Sequence, residues 1–263
     1  MIEKKDVALV TGASSGIGRE MARLLAKRGH DLVLVSRSQD KLTELSRELA
    51  AGQGVAVHIL PVDLADDNGC QRVFDFTRDQ GIAVGILINN AGVGLFGEHS
   101  ALGRDDLENM LRLNVISLSA LCNIYGREMK KRGQGRILNI ASTAAYQPTP
   151  FCAAYGASKS FVLNFSEALA KELEDYGVTV SCLSPGPTDT GFFIGLDEGG
   201  VQGGHFDKKR REDARSVAEI GLETLFAGRL SKIVGSRNAL RAFFVRFAPR
   251  ATTARISKNM MRN

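Results

Sequence analysis

Short apolar runs alternate along the chain with longer stretches in which apolar positions return every three or four residues. The runs are Val7–Val10, Leu32–Ser36, Val55–Pro61, Ile86–Asn89, Arg136–Ala141, Val178–Leu183 and Ser231–Val234. Several are continuous in Val, Ile and Leu, the pattern of strands covered by helices on both faces, as in a parallel sheet. Between them, helical spacing extends over Gly16–Arg28, Gln39–Ala51, Asp67–Gln80, Arg104–Arg132, Ala154–Tyr176 and Ser216–Ala227. Such alternation builds βαβ units. The expected fold is α/β, a doubly wound parallel sheet of seven strands with helices on both faces. No composition shift, Pro/Ser-rich linker or repeat divides the chain, so residues 1–263 are read as a single domain. The least regular stretch is Thr188–Lys209, with glycines at 191, 195, 199, 200, 203 and 204, and the 188–210 region is read as a lid over a substrate.

Composition narrows this further. Hydrophobic residues make up 44% and charged residues 24%, a globular balance. No apolar run reaches the length of about 18 residues that a spanning helix needs. The charged start Met1–Asp6 leads into the first strand without an apolar leader, so a cytoplasmic placement is expected. Cys70, Cys122, Cys152 and Cys182 have no C-x-x-C spacing and read as buried thiols. The four histidines lack ligand spacing, and no metal is expected. Net charge is +5, but residues 201–263 carry 14 Lys/Arg against 5 Asp/Glu. The basic pI raises nucleic-acid binding as a reading, yet no recognised motif supports it and no nucleic-acid partner is expected.

The chemistry begins at Thr11-Gly12-Ala13-Ser14-Ser15-Gly16-Ile17-Gly18, a glycine-rich turn between the first strand and the first helix. Unpaired N–H groups and the positive end of the helix dipole suit a pyrophosphate there. Gly12 permits the tight turn, Gly16 a close approach of backbone to phosphate, and Gly18 close packing of helix on strand. Ser14, Ser15 and Ile17 complete the turn. The second strand ends at Ser36-Arg37 without the acidic residue that would bind the 2′-hydroxyl of NAD. Arg37 offers a planar fork to a 2′-phosphate with Ser36 as a small donor, so NADP(H) is expected over NAD(H).

Tyr155 and Lys159 stand four residues apart, on one face of a helix. A tyrosine of reference pKa about 10 needs tuning before it can exchange protons near neutrality, and a lysine cation favours its phenolate. Ser142 follows a strand, at the sheet edge where ligands sit in parallel sheets. Asn89-Asn90-Ala91-Gly92 closes another strand at that edge, and Asn114 is a polar residue among Leu111, Leu113, Val115 and Ile116.

This ordered set resembles the short-chain dehydrogenase/reductase family across about residues 6–235, with Asp63-Leu64 and Pro185-Gly186-Pro187-Thr188 as further matching pieces. The resemblance implies a Rossmann-like fold and an NADP(H)-dependent oxidoreductase that moves a hydride between nicotinamide and a carbonyl or secondary alcohol. It implies Tyr155 as proton donor and acceptor, Ser142 as orienter of the carbonyl, Lys159 as ribose ligand and tuner, and Asn114 as holder of a relay water. It implies Asp63 and Leu64 near the adenine, Asn89, Ala91 and Gly92 near the adenosine and ribose, and Pro185, Gly186 and Thr188 near the nicotinamide. Ser36-Arg37-Ser38, Phe96-Gly97, Pro148-Thr149-Pro150 and Phe192-Phe193 look closest to 3-oxoacyl and hydroxysteroid reductases, and Phe96, Phe151, Phe192 and Phe193 suggest an apolar substrate. A regulator or scaffold that binds NADPH without turnover is the alternative, and it has no use for Tyr155.

Residues 236–263 form a basic C-terminal extension. Leu240, Phe243, Phe244 and Phe247 fall on one helical stripe within Arg237–Pro249, flanked by Arg237, Arg241, Arg246 and Arg250. Packing on the protein's own core or on a second subunit is the first expectation for it, with a homodimer or homotetramer as the assembly. The other is a peripheral membrane contact giving access to a membrane-dissolved substrate.

Overall fold

The computed structural model describes residues 6–188, 193–194 and 211–262. Seven parallel strands form the central sheet: β1 (Val7–Thr11), β2 (Leu32–Ser36), β3 (Val57–Pro61), β4 (Val84–Asn89), β6 (Gly135–Ile140), β7 (Val178–Ser184) and β9 (Ser231–Ile233). They lie in the order β3-β2-β1-β4-β6-β7-β9, so the strand order reverses between β1 and β4. A separate parallel pair joins β5 (Gly94–Leu95) to β8 (Phe193–Ile194). The expected lid over 188–210 lies outside the described residues, apart from Thr188 and the backbone of Phe193–Ile194, as does Phe192.

The alternation of side chains along β1 divides the core in two. Ala8 and Val10 point toward α1 (Gly16–Lys27), α2 (Gln39–Gln53) and α7 (Ala214–Phe226), meeting Met21, Leu25, Leu42, Val217 and Leu222. Leu9 points to the other face, toward α3 (Gly69–Asp79), α5 (Leu118–Arg132) and α6 (Ala153–Leu173), with Val73, Leu121, Tyr125 and Val162. Each fully buried Val, Leu or Met among these contributes about 1.5–3 kcal/mol. With both faces covered, the loops beyond the carboxyl ends of the strands are where polar chemistry reaches solvent.

Two expectations change. The helix expected over Arg104–Arg132 is three segments: α4 (Arg104–Leu111), a π-helical stretch Arg112–Ser117, and α5. The wider turn is braced by Ser117 Oγ, which donates to the Arg112 carbonyl five residues back at 2.9 Å. It turns Ile116 out to solvent at 60% exposure and Asn114 inward. The helix expected over Arg237–Pro249 is α8 (Ser236–Val245), and a further helix, α9 (Arg250–Arg262), follows Pro249. Its stripe does not pack on the core: Leu240, Phe243, Phe244 and Phe247 are 52–73% exposed, while Ala242 on the opposite face is buried.

Candidate active site

The carboxyl ends of β1, β2, β4, β6 and β7 open into one cavity of about 610 Å³. Its nucleotide end is built by the turn after β1. Gly12 and Gly16 adopt φ of +65° and +53°, left-handed values that favour glycine. A methyl group at Gly12 would press on Asn90 and the Ala91 backbone. One at Gly18 would collide with the Gly12 carbonyl and Asn90. The tight packing of Gly18 is against the turn that leaves β1 and the residue that follows β4, and Gly18 itself does not line the cavity. The Ser15 side chain makes no capping bond at the start of α1, which leaves the first helical N–H groups to a ligand.

Thr11 and Asn90, which belong to the two motifs but take no role of their own from the sequence, knit this end together. Thr11 Oγ1 accepts from the N–H groups of Asn90 and Ala91 at 3.0 Å. Asn90 Nδ2 donates to the Thr11 carbonyl at 3.0 Å and the Gly12 carbonyl at 3.3 Å. Asn90, Ala91 and Gly92 line the cavity, but Asn89 does not. Asn89 is the last residue of β4 and points into the sheet, where its Nδ2 donates to Asn139 Oδ1 at 2.9 Å across the β4–β6 register. The sequence reading placed Asn89 on the cavity; the strand's alternation gives that place to its neighbour.

At the end of β2, Ser36 Oγ is buried against the cavity without a hydrogen-bond partner among the described residues. Buried polar groups are nearly always paired, so this hydroxyl calls for a ligand acceptor. Arg37 lies beside it with a side chain 77% exposed, reaching Asp63 Oδ2 at 3.7 Å. Lys41, one turn into α2, adds a second cation to the lining and went unnoticed because it lies beyond the strand end. An orphaned hydroxyl, two cations, a helix N-terminus and a glycine cradle fit a phosphorylated dinucleotide. Asp63 and Leu64 line the same end.

Ser142, Tyr155, Lys159 and the Pro185–Thr188 turn form the other end of the cavity. Ser142 caps the 3₁₀ turn Thr143–Tyr146, its Oγ accepting from Ala144 N–H at 3.1 Å. Tyr155 and Lys159 lie on the buried face of α6, with Lys159 Nζ 5.9 Å from the tyrosine ring centre. Close approach of α6 requires Gly156, since a methyl group there would collide with Thr149 Oγ1. Burial pushes the Tyr155 hydroxyl well above its ordinary range, and its hydrogen bond with Ser142 pulls the other way. Burial pulls Lys159 down to about 8. Lys159 Nζ donates to the Ile140 carbonyl at 2.9 Å. Cys152, also in the lining, is held up at about 12 by burial and stays a thiol.

Asn114 sits behind this wall and does not line the cavity. Its Oδ1 accepts from Val93 N–H at 3.0 Å, and its Nδ2 donates to the Val93 carbonyl at 2.9 Å and to Ser158 Oγ at 3.2 Å. Ser158 in turn donates to the Tyr155 carbonyl at 2.7 Å. The Asn114 amide is thereby a brace between the β4–β5 loop and the helix that carries Tyr155.

The last wall comes from the chain's end. Asn238, Arg241 and Ala242 of α8 and Ser257, Met260 and Met261 of α9 line the cavity, and Met261 is buried in one cluster with Leu95, Met110, Cys152 and Tyr155. No local motif marks these residues. Among the described residues, no cluster of His, Cys, Asp or Glu could hold a metal ion, and no helix is long and apolar enough to cross a membrane.

The family model described as short chain dehydrogenase matches residues 6–199. The 17-beta-hydroxysteroid dehydrogenase type 3 of Mus musculus is 30% identical over 97% of this chain and 84% of its own length. The very-long-chain 3-oxoacyl-CoA reductase of Rattus norvegicus is 32% identical, over 91% of this chain and 77% of its own. Among solved structures, a short-chain dehydrogenase from Sphingobium yanoikuyae in complex with NADPH superposes with a TM-score of 0.83 at 31% identity, covering 94% of each chain.

Proposed function

Because the chain belongs to the short-chain dehydrogenase family, we propose that this oxidoreductase uses NADPH to reduce a carbonyl on an apolar substrate of the 3-oxoacyl or steroid type. The observation that carries the reading is the single cavity joining the Gly12 turn and Ser36/Arg37 at one end to Ser142, Tyr155 and Lys159 at the other. The preference for NADPH rests on the unpartnered Ser36 hydroxyl beside Arg37 and Lys41. The substrate class rests on the relatives named for steroid and 3-oxoacyl-CoA chemistry and on the apolar wall of Met260, Met261 and Leu113.

The bound cofactor supplies the hydride. Ser142 holds the carbonyl oxygen in place through its hydroxyl. The raised pKa of Tyr155 keeps its phenol protonated at neutral pH, so it gives that proton to the oxygen as negative charge develops there. Lys159, still an ammonium below about pH 8, stabilises the phenolate left behind and lowers the cost of the transfer. Asn114 and Ser158 fix the helix that carries both groups. The test is NADPH oxidation by the purified protein against ketosteroids and 3-oxoacyl thioesters. Tyr155→Phe should bind NADPH normally and lose about 10²–10⁴-fold in turnover. A variant that keeps more than roughly a tenth of the parent rate overturns the assignment of Tyr155.

We also propose that the outward face of α8 contacts an anionic membrane surface. An isologous dimer through this face would set its arginines against one another. A homodimer or homotetramer would therefore assemble through another face.

A further inference from the structure

Glu212, just ahead of α7, makes a set of contacts that the reaction scheme leaves unused. Its Oε2 accepts from the Gly186 N–H at 3.2 Å, and its Oε1 accepts from Asn238 Nδ2 at 3.2 Å. Its own N–H donates to the Pro187 carbonyl at 2.8 Å, and it forms a β-bridge with Thr188. Asn238 is fixed in turn by donating to the Val234 carbonyl at 2.9 Å. The fit is close: a methyl group on Gly186 would stand 2.7 Å from Asn238 Nδ2 and 3.4 Å from Glu212 Oε1. On its far side the same turn is held by Thr143 N–H, which donates to the Pro185 carbonyl at 2.9 Å, one residue from Ser142. The half-buried carboxylate thus receives its side-chain hydrogen bonds from two neutral donors. Its partners are the two structures that form one wall of the reaction end, the 185–188 turn and α8.

We propose that Glu212 is a positioning residue for hydride transfer, clamping the Pro185–Gly186–Pro187 turn and α8 at one height against the cavity. The proposal rests on the reductase reading given above. Between two prolines, Gly186 has the only N–H in that tripeptide, and one oxygen of the Glu212 carboxylate receives it. Misplacement by about 1 Å at a reacting centre can cost about 10²-fold in rate.

The full-length protein with Glu212→Gln and Glu212→Ala tests this. The glutamine keeps the shape but replaces one acceptor oxygen with a donor, so one of the two clamping bonds is lost; the alanine loses both. Amide hydrogen exchange at Gly186, which needs no turnover, should speed up in Glu212→Ala, where the acceptor of its N–H is gone. With NADPH deuterated at the transferred position, kcat should fall about ten- to a hundred-fold and the primary isotope effect should rise, while the Kd for NADPH moves by less than about threefold. Asn238→Ala should share the defect in milder form, and combining it with Glu212→Ala should add little. Unchanged exchange at Gly186 and an unchanged isotope effect in folded Glu212→Ala would overturn the proposal. So would a loss of NADPH affinity that accounts for the whole loss of kcat/KM. If the parent protein reduces no carbonyl, the reductase reading fails first, while faster exchange at Gly186 would still report the clamp.

Discussion

Arg37 is held by no more than a 3.7 Å contact to Asp63, with most of its length in solvent. Such a pair contributes little by itself, so a 2′-phosphate can recruit the guanidinium at small expense. A charge-assisted hydrogen bond is worth about 1.5–3 kcal/mol. Arg37→Asp should therefore weaken NADPH binding by roughly ten- to a hundred-fold or more, with NADH unchanged or improved. Titration of both cofactors into parent and variant checks this, and equal weakening of the two would mean that Arg37 supports the fold instead. Lys159 sets a pH limit. Its folded pKa is lowered to about 8 from 10.5, so the useful ammonium is present below about pH 8 and is lost above it. The kcat/KM for NADPH reports the free enzyme; it should be flat below pH 8 and decline above it. Lys159→Arg, which stays charged, should erase that decline even if it is slower. A profile with no break in the parent would show that Lys159 does not govern the alkaline limb. Tyr155 and Lys159 were legible in the sequence because one helix fixes their spacing. Asn89 and Asn90 were harder to tell apart: a strand's final residue still alternates, and only the sheet register shows which of two adjacent amides faces the ligand.

Helix periodicity found every major helix up to α7, and it failed where the backbone leaves the 3.6-residue repeat. The π-helical turn at Arg112–Ser117 shifts the inward face, so the apolar neighbours of Asn114 could not reveal which way it points. The rule that an apolar stripe faces inward failed on α8, whose inward face is Asn238, Arg241 and Ala242. Its exposed stripe carries the next prediction. From Thr224 to Asn263 the chain holds nine Lys/Arg and no Asp/Glu. Cations beside an anionic leaflet contribute about 1 kcal/mol each, and the phenyl rings add apolar insertion. The protein should co-sediment with phosphatidylglycerol vesicles and not with phosphatidylcholine ones. Phe243→Ser/Phe244→Ser should weaken that binding about tenfold or more with the melting temperature unchanged, because both rings are exposed already. A parent that ignores both vesicle types, or a pair of substitutions that lowers thermal stability, would rule out the membrane role.

At the scale of the molecule, the seven strands and their parallel pairing follow from apolar runs too continuous for a one-sided sheet. Their order and the use of the last two helices as a cavity wall depend on contacts between distant segments, which no local pattern carries. The reversal of strand order between β1 and β4 has a consequence for how the protein is made. The cavity takes the Gly12 turn and Arg37 from the first strands, Asn90 to Gly92 from the middle, and Tyr155 and Pro185 from much later in the chain. A ribosome that has released only the first hundred residues has produced the Gly12 turn, Arg37, Asp63 and the Asn90–Gly92 segment, but none of Ser142, Tyr155, Lys159 or the Pro185–Thr188 turn. Ligand stabilisation acts only on a state that can bind. A cofactor that spans the whole cavity would therefore stabilise finished chains more than truncated ones.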